Sequence, residues 1–244
     1  MPIATYDGET YVAYLDISGF KELMKKAGKA EKALGQFYIT VNSVGLGFCP
    51  PNDPSFFEVN AVLFSDSAIL FSRNPVRQFN EVELIRQDKV KGICSILTFI
   101  QRINWKLISF INNPIMTACS IDYGKFRYED RIEFEGIDKG FVIGKPFVNA
   151  FLDVENGRPK IQPGECRLLK SNLALDGALP TNYKPFSLLE SRDRYYYFHW
   201  MIQSLEEIER FKQDFEDTYQ LKYAGMIQVL QKYALRAQRT DAVH

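Results

Sequence analysis

Tyr11–Asp16 (YVAYLD) is apolar at almost every position and rich in aromatic and aliphatic residues, the pattern of a buried strand. Ile17-Ser18-Gly19-Phe20 follows as a turn. From Lys21 to about Val44, Leu23, Met24, Ala27, Ala30, Leu34, Phe37 and Tyr38 give a rough 3.6-residue apolar stripe. That stripe predicts a helix, which Gly28 and Gly35 weaken. Pro50-Pro51-Asn52-Asp53-Pro54 marks a loop. Two strand-like runs follow, Phe56–Phe64 and Ser67–Phe71, joined hairpin-fashion through Ser65-Asp66.

Helical periodicity returns from Glu81 to Ile111. Ile115–Asp122 reads as a strand, with Gly124 in the turn after it. Gly140–Ile143 reads as another, leading through Gly144-Lys145-Pro146 into a helix over about Phe147–Glu155. Beyond Gly157 loops alternate with short strands, of which Tyr195–Trp200 (YYYFHW) is the clearest. Ser204–Arg239 is highly charged, lacks proline and carries one apolar face, predicting one or two amphipathic helices. The order β-α-β-β-α-β-β-α predicts an α/β (α+β) sandwich on a mixed sheet, of the ferredoxin-like type.

Composition narrows the picture. The 244 residues suit one domain, or one domain with an extension. Thirty basic residues balance thirty acidic ones, so non-specific nucleic-acid binding has no electrostatic support. Cys49, Cys94, Cys119 and Cys166 are far apart and form no CxxC pair, so each reads as a free thiol. No basic segment followed by an apolar one opens the chain, and no apolar run is long enough to span a bilayer. A cytoplasmic location is the expectation. His199 and His244 are the only histidines, which gives little support to a histidine triad or metal site. The aromatic run at Tyr195–Trp200 is read as a half-buried strand in preference to a base-stacking surface.

The chemistry concentrates at two carboxylates. YLDISGF places Asp16 at the end of a strand, with the backbone of Ser18, Gly19 and Phe20 turning into a helix. A helix start offers unpaired N–H donors suited to phosphate oxygens, and Gly19 allows close approach. FSDSAILF places Asp66 at the hairpin bend. Asp16 taken singly also suits a helix N-cap, and Asp66 a turn residue. Together above one sheet they suit Mg²⁺ or Mn²⁺, which take hard oxygen ligands. Two such ions about 3.5–4 Å apart can stabilise both oxygens of a phosphoryl displacement.

These segments carry a resemblance. YLDISGF resembles the first metal motif of the class III adenylate and guanylate cyclases, and FSDSAILF the hairpin with their second metal Asp. ACSIDYG and IGKPFVNAFLDVE resemble two later, more degenerate motifs, in family order. The resemblance implies a nucleotide cyclase catalytic domain over 1–202 and a helical extension over 203–244, packed on the domain or the dimer. It implies metal binding by Asp16, the Ile17 carbonyl and Asp66, with Asp16 and Asp66 catalytic. Ser18, Gly19 and Phe20 would bind the triphosphate. The cofactors would be two divalent ions, Mn²⁺ or Mg²⁺. The substrate would be a nucleoside triphosphate, and the site would form at a homodimer interface, with no nucleic-acid or membrane partner.

The sequence departs from that family where bases are read. Positions that carry a purine-reading Lys or Glu, and Asp or Cys, fall on Val62 and Phe141. The transition-state Asn falls on Asn149 in one register, with Asp153 in place of the Arg; in the other register the pair falls on Val148 and Leu152. A further family Arg is replaced by Ala118. Lys21, Arg73, Lys125, Arg127 and Lys145 are the candidate replacement cations. This combination resembles the stand-alone pyrimidine cyclases of bacterial anti-phage defence, which implies UTP or CTP as substrate and a second-messenger product. A catalytically degenerate cyclase fold that binds nucleotide or a partner, and an atypical purine cyclase, are the alternatives.

Overall fold

A computed structural model describes residues 3–48, 56–76, 81–110, 112–134, 137–173, 175, 179–180, 183–219 and 223–241. The strands are β1 (Tyr6–Ile17), β2 (Val59–Phe64), β3 (Ser67–Ser72), β4 (Thr117–Phe134), β5 (Ile137–Gly144), β6 (Cys166–Leu169), β7 (Leu189–Arg192) and β8 (Tyr195–Phe198). They form one sheet in the order β2-β3-β1-β4-β6-β8-β7, with β5 paired to β4 beside that path. Every pairing is antiparallel except β4 with β6. The sheet is therefore mixed and the architecture is α/β, as expected from the order of elements.

The helices are α1 (Phe20–Met24), α2 (Lys29–Phe48), α3 (Val82–Ser109), α4 (Lys145–Asn156), α5 (Lys184–Ser187), α6 (Ile208–Tyr219) and α7 (Tyr223–Asp241). Helices α2, α3, α6 and α7 contribute to one large core, into which β1 sends Tyr11, Ala13, Leu15 and Ile17. Helix α4 covers the other face, where β1 sends Val12 and Tyr14. Strand side chains alternate between faces, so a strand covered on both sides needs apolar residues at successive positions. That accounts for YVAYLD, and it places Asp16 on the α4 side with Val12 and Tyr14.

Two expected boundaries are corrected. The helix expected over Lys21–Val44 is two helices. The first ends at Met24, and Gly28, directly before α2, adopts φ 69°, a left-handed conformation that lets α2 start in a new direction. The turn expected at Gly124 is absent, and β4 continues through it. Thr10 pairs with Gly124 and Tyr11 with Tyr123, so the long partner β1 carries the strand past the glycine. Ser204–Arg239 forms α6 and α7 after a short 3-10 turn. The Pro50–Pro54 loop, Cys49, Ile111 and His244 lie outside the described residues.

Cys94, Cys119 and Cys166 are buried free thiols. Tyr195, Tyr197, Phe198 and Trp200 are buried, so the aromatic run is core strand rather than an open stacking surface. His199 is buried beside Glu190, 3.0 Å away. No helix among the described residues is long and apolar enough to cross a membrane.

Candidate active site

Asp16 and Asp66 line one cleft of about 660 Å³. Asp16 is the penultimate residue of β1, and Asp66 sits in the two-residue turn between β2 and β3. Because β3 is the antiparallel neighbour of β1, the hairpin bend arrives beside the end of β1. Ser65 makes the bend with φ 51°, and the Asp66 carbonyl accepts a 3.0 Å hydrogen bond from the Ile17 N–H. The backbone of each aspartate segment thereby braces the other.

The Asp16 side chain is held from both neighbouring strands. Ser67 and Ala118 stand opposite it in the two ladders. Ser67 Oγ donates to Asp16 Oδ1 at 2.8 Å, and its remaining contact, 2.8 Å to the Tyr14 hydroxyl, is one it accepts. Burial pushes the Asp16 pKa up to about 6; the Ser67 hydrogen bond lowers it, the negative charges of Asp66 and Glu155 raise it, and Lys21 lowers it. The small side chain of Ala118 leaves the space beside the carboxylate open.

These residues fit a divalent cation. A partly buried carboxylate facing further negative charge is destabilised in its ionised form, and a hard cation removes that cost. Ser18 lines the same cleft, and its buried hydroxyl has no hydrogen-bond partner among the described residues. Among the described residues no group of three or more His, Cys, Asp or Glu side chains could hold a metal. The donors available are therefore Asp16, Asp66 and backbone or hydroxyl oxygens such as the Ile17 carbonyl.

Gly19 and Phe20 also line the cleft. The Ser18 N–H already donates to the Met116 carbonyl at 2.9 Å, so of the three expected phosphate-binding amides it is committed elsewhere. Gly19 and Phe20 provide the amides without a backbone acceptor among the described residues. Helix α1 has only five residues, so its dipole adds little.

The other expected site residues lie apart from this cleft. Val62 is half-buried on β2 and packs on the α4-side core, while Phe141 is 39% exposed on β5. Strands β3, β1 and β4 separate them. Asn149 on α4 donates to Asp122 at 2.6 Å. Asp153, which occupies the family Arg position in that register, forms a two-point ion pair with Arg167 at 2.9 and 2.7 Å. Of the candidate cations, Lys21 lines the cleft. Arg73 binds the carbonyls of Ala4 and Thr5, Arg127 pairs with Glu129, and Lys125 and Lys145 are not part of the cleft wall.

Among the cleft residues that the sequence did not assign to the site, Glu155 and Lys160 bring charge and Met226 adds an apolar wall. Glu155, the penultimate residue of α4, closes the segment IGKPFVNAFLDVE without an expected role there, and Lys160 lies in the loop after α4, outside the motifs. Met226 arrives on α7, far along the chain.

No protein-family model matches the sequence, and no curated protein matches it. Solved structures share its fold. One is the non-canonical dimeric guanylyl cyclase domain of the RhoGC fusion protein from the aquatic fungus Blastocladiella emersonii, at TM-score 0.55 and 11% identity, covering 81% of this chain and 98% of that one. Another is the guanylate cyclase domain of RhGC from Catenaria anguillulae in complex with GTP, at TM-score 0.53 and 9% identity, covering 80% and 98%. A third is a bacterial light-regulated adenylyl cyclase, at TM-score 0.51 and 10% identity, covering 95% and 59%. The chain has the fold of a class III nucleotide cyclase catalytic domain.

Proposed function

We propose that the chain is a metal-dependent nucleotide cyclase that converts a nucleoside triphosphate into a 3′,5′-cyclic nucleotide and pyrophosphate. The observation that carries this reading is the meeting of Asp16 and Asp66 in one cleft on a cyclase fold. In this reading Asp16, Asp66 and the Ile17 carbonyl hold two divalent ions, Mn²⁺ or Mg²⁺. Such ions, when bound, supply charge stabilisation to a phosphoryl displacement. Ser67 fixes the orientation of the Asp16 carboxylate. The amides of Gly19 and Phe20 and the side chains of Lys21 and Lys160 receive the polyphosphate. The ribose 3′-hydroxyl attacks the α-phosphate, its proton passes to solvent or base, and pyrophosphate leaves.

The substrate in this reading is UTP or CTP, and the product an anti-phage second messenger. Support for a pyrimidine is the apolar chemistry of Val62 and Phe141, which cannot pair with a purine edge. The catalytic unit is 1–202, with 203–244 an extension packed on it, and the working form is a two-fold homodimer. Its support is the apolar outer surface of α4, where Val148 and Leu152 are 46% and 47% exposed. In this reading the dimer matters to the chemistry because Val62, Phe141 and Asn149 lie outside their own chain's cleft and would meet a nucleotide only across the interface.

The test is incubation of the purified protein with each of the four nucleoside triphosphates and Mn²⁺, with products identified by mass. Cyclic UMP or cyclic CMP is the expected product. Dominant cyclic AMP or cyclic GMP would replace the pyrimidine assignment with an atypical purine cyclase. A second reading is a cyclase fold that binds nucleotide without turnover. The commitment of Asp153 to Arg167, where a transition-state Arg would sit, favours it. No cyclic product from any nucleotide would select it.

A further inference from the structure

Helix α7 reaches the Asp16 cleft from the C-terminal end of the chain. Its first residue, Tyr223, donates a 3.0 Å hydrogen bond from its hydroxyl to the Ser18 carbonyl. Met226, three positions on, is buried and forms part of the cleft wall. The Tyr223 ring also lies over Gly19, where an added Cβ would stand 4.0 Å from Cε2. Tyr223 is 36% exposed, and its hydroxyl, like that of any tyrosine, is protonated at neutral pH and able to donate.

The group that Tyr223 holds has chemical consequence. The Ser18 carbonyl and the Gly19 N–H belong to one planar trans peptide, in which C=O and N–H point in opposite directions. Fixing the carbonyl on Tyr223 fixes the direction of the Gly19 amide. No other backbone hydrogen bond among the described residues holds the Ser18 carbonyl, whereas the Gly19 carbonyl accepts from the Glu22 and Leu23 N–H groups at 3.0 and 3.3 Å. The β1 ladder ends at Ile17, the Ser18 N–H is the last braced donor, and Gly19 sits at φ 76°. Glycine allows a flip of the adjoining peptide at small cost. A flip would break the Tyr223 bond and turn the Gly19 N–H away.

We propose that Tyr223 is a positioning residue that locks the Ser18–Gly19 peptide, presenting the Gly19 amide to the polyphosphate of the substrate. The inference rests on the cyclase reading of the cleft. Helix α7 can perform this role because it is anchored independently. Leu230 and Tyr233 are fully buried, Gln231 donates to the Ile108 carbonyl at 2.7 Å, and Lys232 pairs with Asp214 at 2.7 Å. The Tyr223 hydroxyl is therefore delivered by a fixed arm, and removing it leaves the arm in place.

The test compares full-length wild type with Tyr223→Phe, which keeps the ring over Gly19 and loses only the hydroxyl. Calorimetric titration with inorganic tripolyphosphate in the presence of Mn²⁺ is expected to show about tenfold weaker binding in the variant, the size of one hydrogen bond to a charged group. Mn²⁺ alone binds both proteins equally, since Asp16 and Asp66 are untouched. In turnover, KM for the nucleotide rises more than kcat falls. In NMR spectra the Gly19 amide signal broadens or splits in the variant, while amides of 230–234 keep their positions. Equal tripolyphosphate affinity and an unchanged Gly19 signal would overturn this inference alone. Failure of wild type to bind Mn²⁺ and tripolyphosphate would overturn it together with the cyclase reading.

Discussion

Ser67 stands directly across the β1–β3 ladder from Asp16 and donates a 2.8 Å hydrogen bond to its carboxylate. The same hydroxyl accepts from Tyr14, 2.8 Å away, on the strand that carries Asp16. A hydroxyl has one proton, so the direction of this relay is fixed: Tyr14 to Ser67 to Asp16. The aspartate is oriented by its own strand acting through the neighbouring one. Ser67→Ala removes the one hydrogen bond that lowers the Asp16 pKa, which then rises above about 6. Mn²⁺ affinity should fall most at pH 6 and recover towards wild type at pH 8, where the carboxylate is ionised in both proteins. Titrations at the two pH values check this; an equal deficit at both would mean that Ser67 acts on geometry alone.

The raised Asp16 pKa also gives the folded protein a pH dependence. Its value of about 6 lies above the ordinary 3.8, so the folded state holds the proton more tightly than the unfolded state. This contribution to stability is fully present below pH 3.8 and is lost as pH rises through about 6. Metal works in the opposite sense, because it binds the ionised form. The Tm gain from Mn²⁺ should therefore be small at pH 5 and reach its plateau above pH 7. Asp16→Asn should raise the metal-free Tm at pH 8 by about 2–4 °C, as expected for about 1 kcal/mol in a chain of this size. It should also abolish the Mn²⁺ response. A wild-type Mn²⁺ response that is flat with pH would contradict the assignment.

Asp16→Ala and Asp66→Ala should each abolish cyclisation while leaving the fold intact. Neither side chain contributes to the apolar cores, and both lie at the rim of the cleft. Removal of one anionic ligand from a two-metal arrangement removes the charge that positions both ions. Circular dichroism and turnover measured on the same preparation check this. Near-normal cyclisation by either variant would remove that residue from the site.

The sequence makes these two aspartates legible because each lies inside a local pattern: a strand followed by ISGF, and a hairpin bend. Strand β1 is legible for the same reason, since burial on both faces needs consecutive apolar residues. What is not legible depends on partners distant in sequence. Gly124 reads locally as a turn, and only pairing with Thr10 keeps it in a strand. Asp153 and Arg167 meet because β6 returns parallel to β4, a crossing that no local pattern announces. Tyr223 and Ser18 are joined across 205 positions by the packing of α7.

The Asp153–Arg167 pair should behave as a structural element rather than as chemistry. Arg167 is fully buried, its guanidinium lies 4.1 Å over the Tyr195 ring, and it also donates to the Pro159 carbonyl at 2.6 Å. Ser120 and Tyr195 donate to Asp153 as well, at 2.8 and 3.1 Å. These donors lower the Asp153 pKa against the opposing effect of burial. Asp153→Ala leaves the guanidinium buried and unpaired, which typically costs about 3–5 kcal/mol. Gly157→Ala should also destabilise, because its Cβ would stand 2.4 Å from Arg167 Nη2. Chemical denaturation checks both; a loss below about 1 kcal/mol for Asp153→Ala would mean that Arg167 finds water or another partner.

The last prediction concerns assembly. On α4, Pro146, Ala150 and Val154 face the protein and are buried, while Val148 and Leu152, one turn apart, face outwards. On β5, Phe141 and Ile143 share one face and are 39% and 54% exposed. Phe64, at the hairpin that carries Asp66, is 41% exposed. Apolar positions left exposed on α4, on β5 and at the Asp66 hairpin are what a two-fold interface would cover. Leu152→Arg places a charge on that surface without disturbing the buried side of α4. It should convert the dimer to a monomer and abolish cyclisation, yet leave the pH-dependent Mn²⁺ response unchanged, because Asp16, Ser67 and Asp66 belong to one chain. Light scattering, turnover and metal titration on the same variant separate the possibilities. A monomeric wild type that turns over substrate would refute the dimer, and a Leu152→Arg dimer with full activity would place the interface elsewhere.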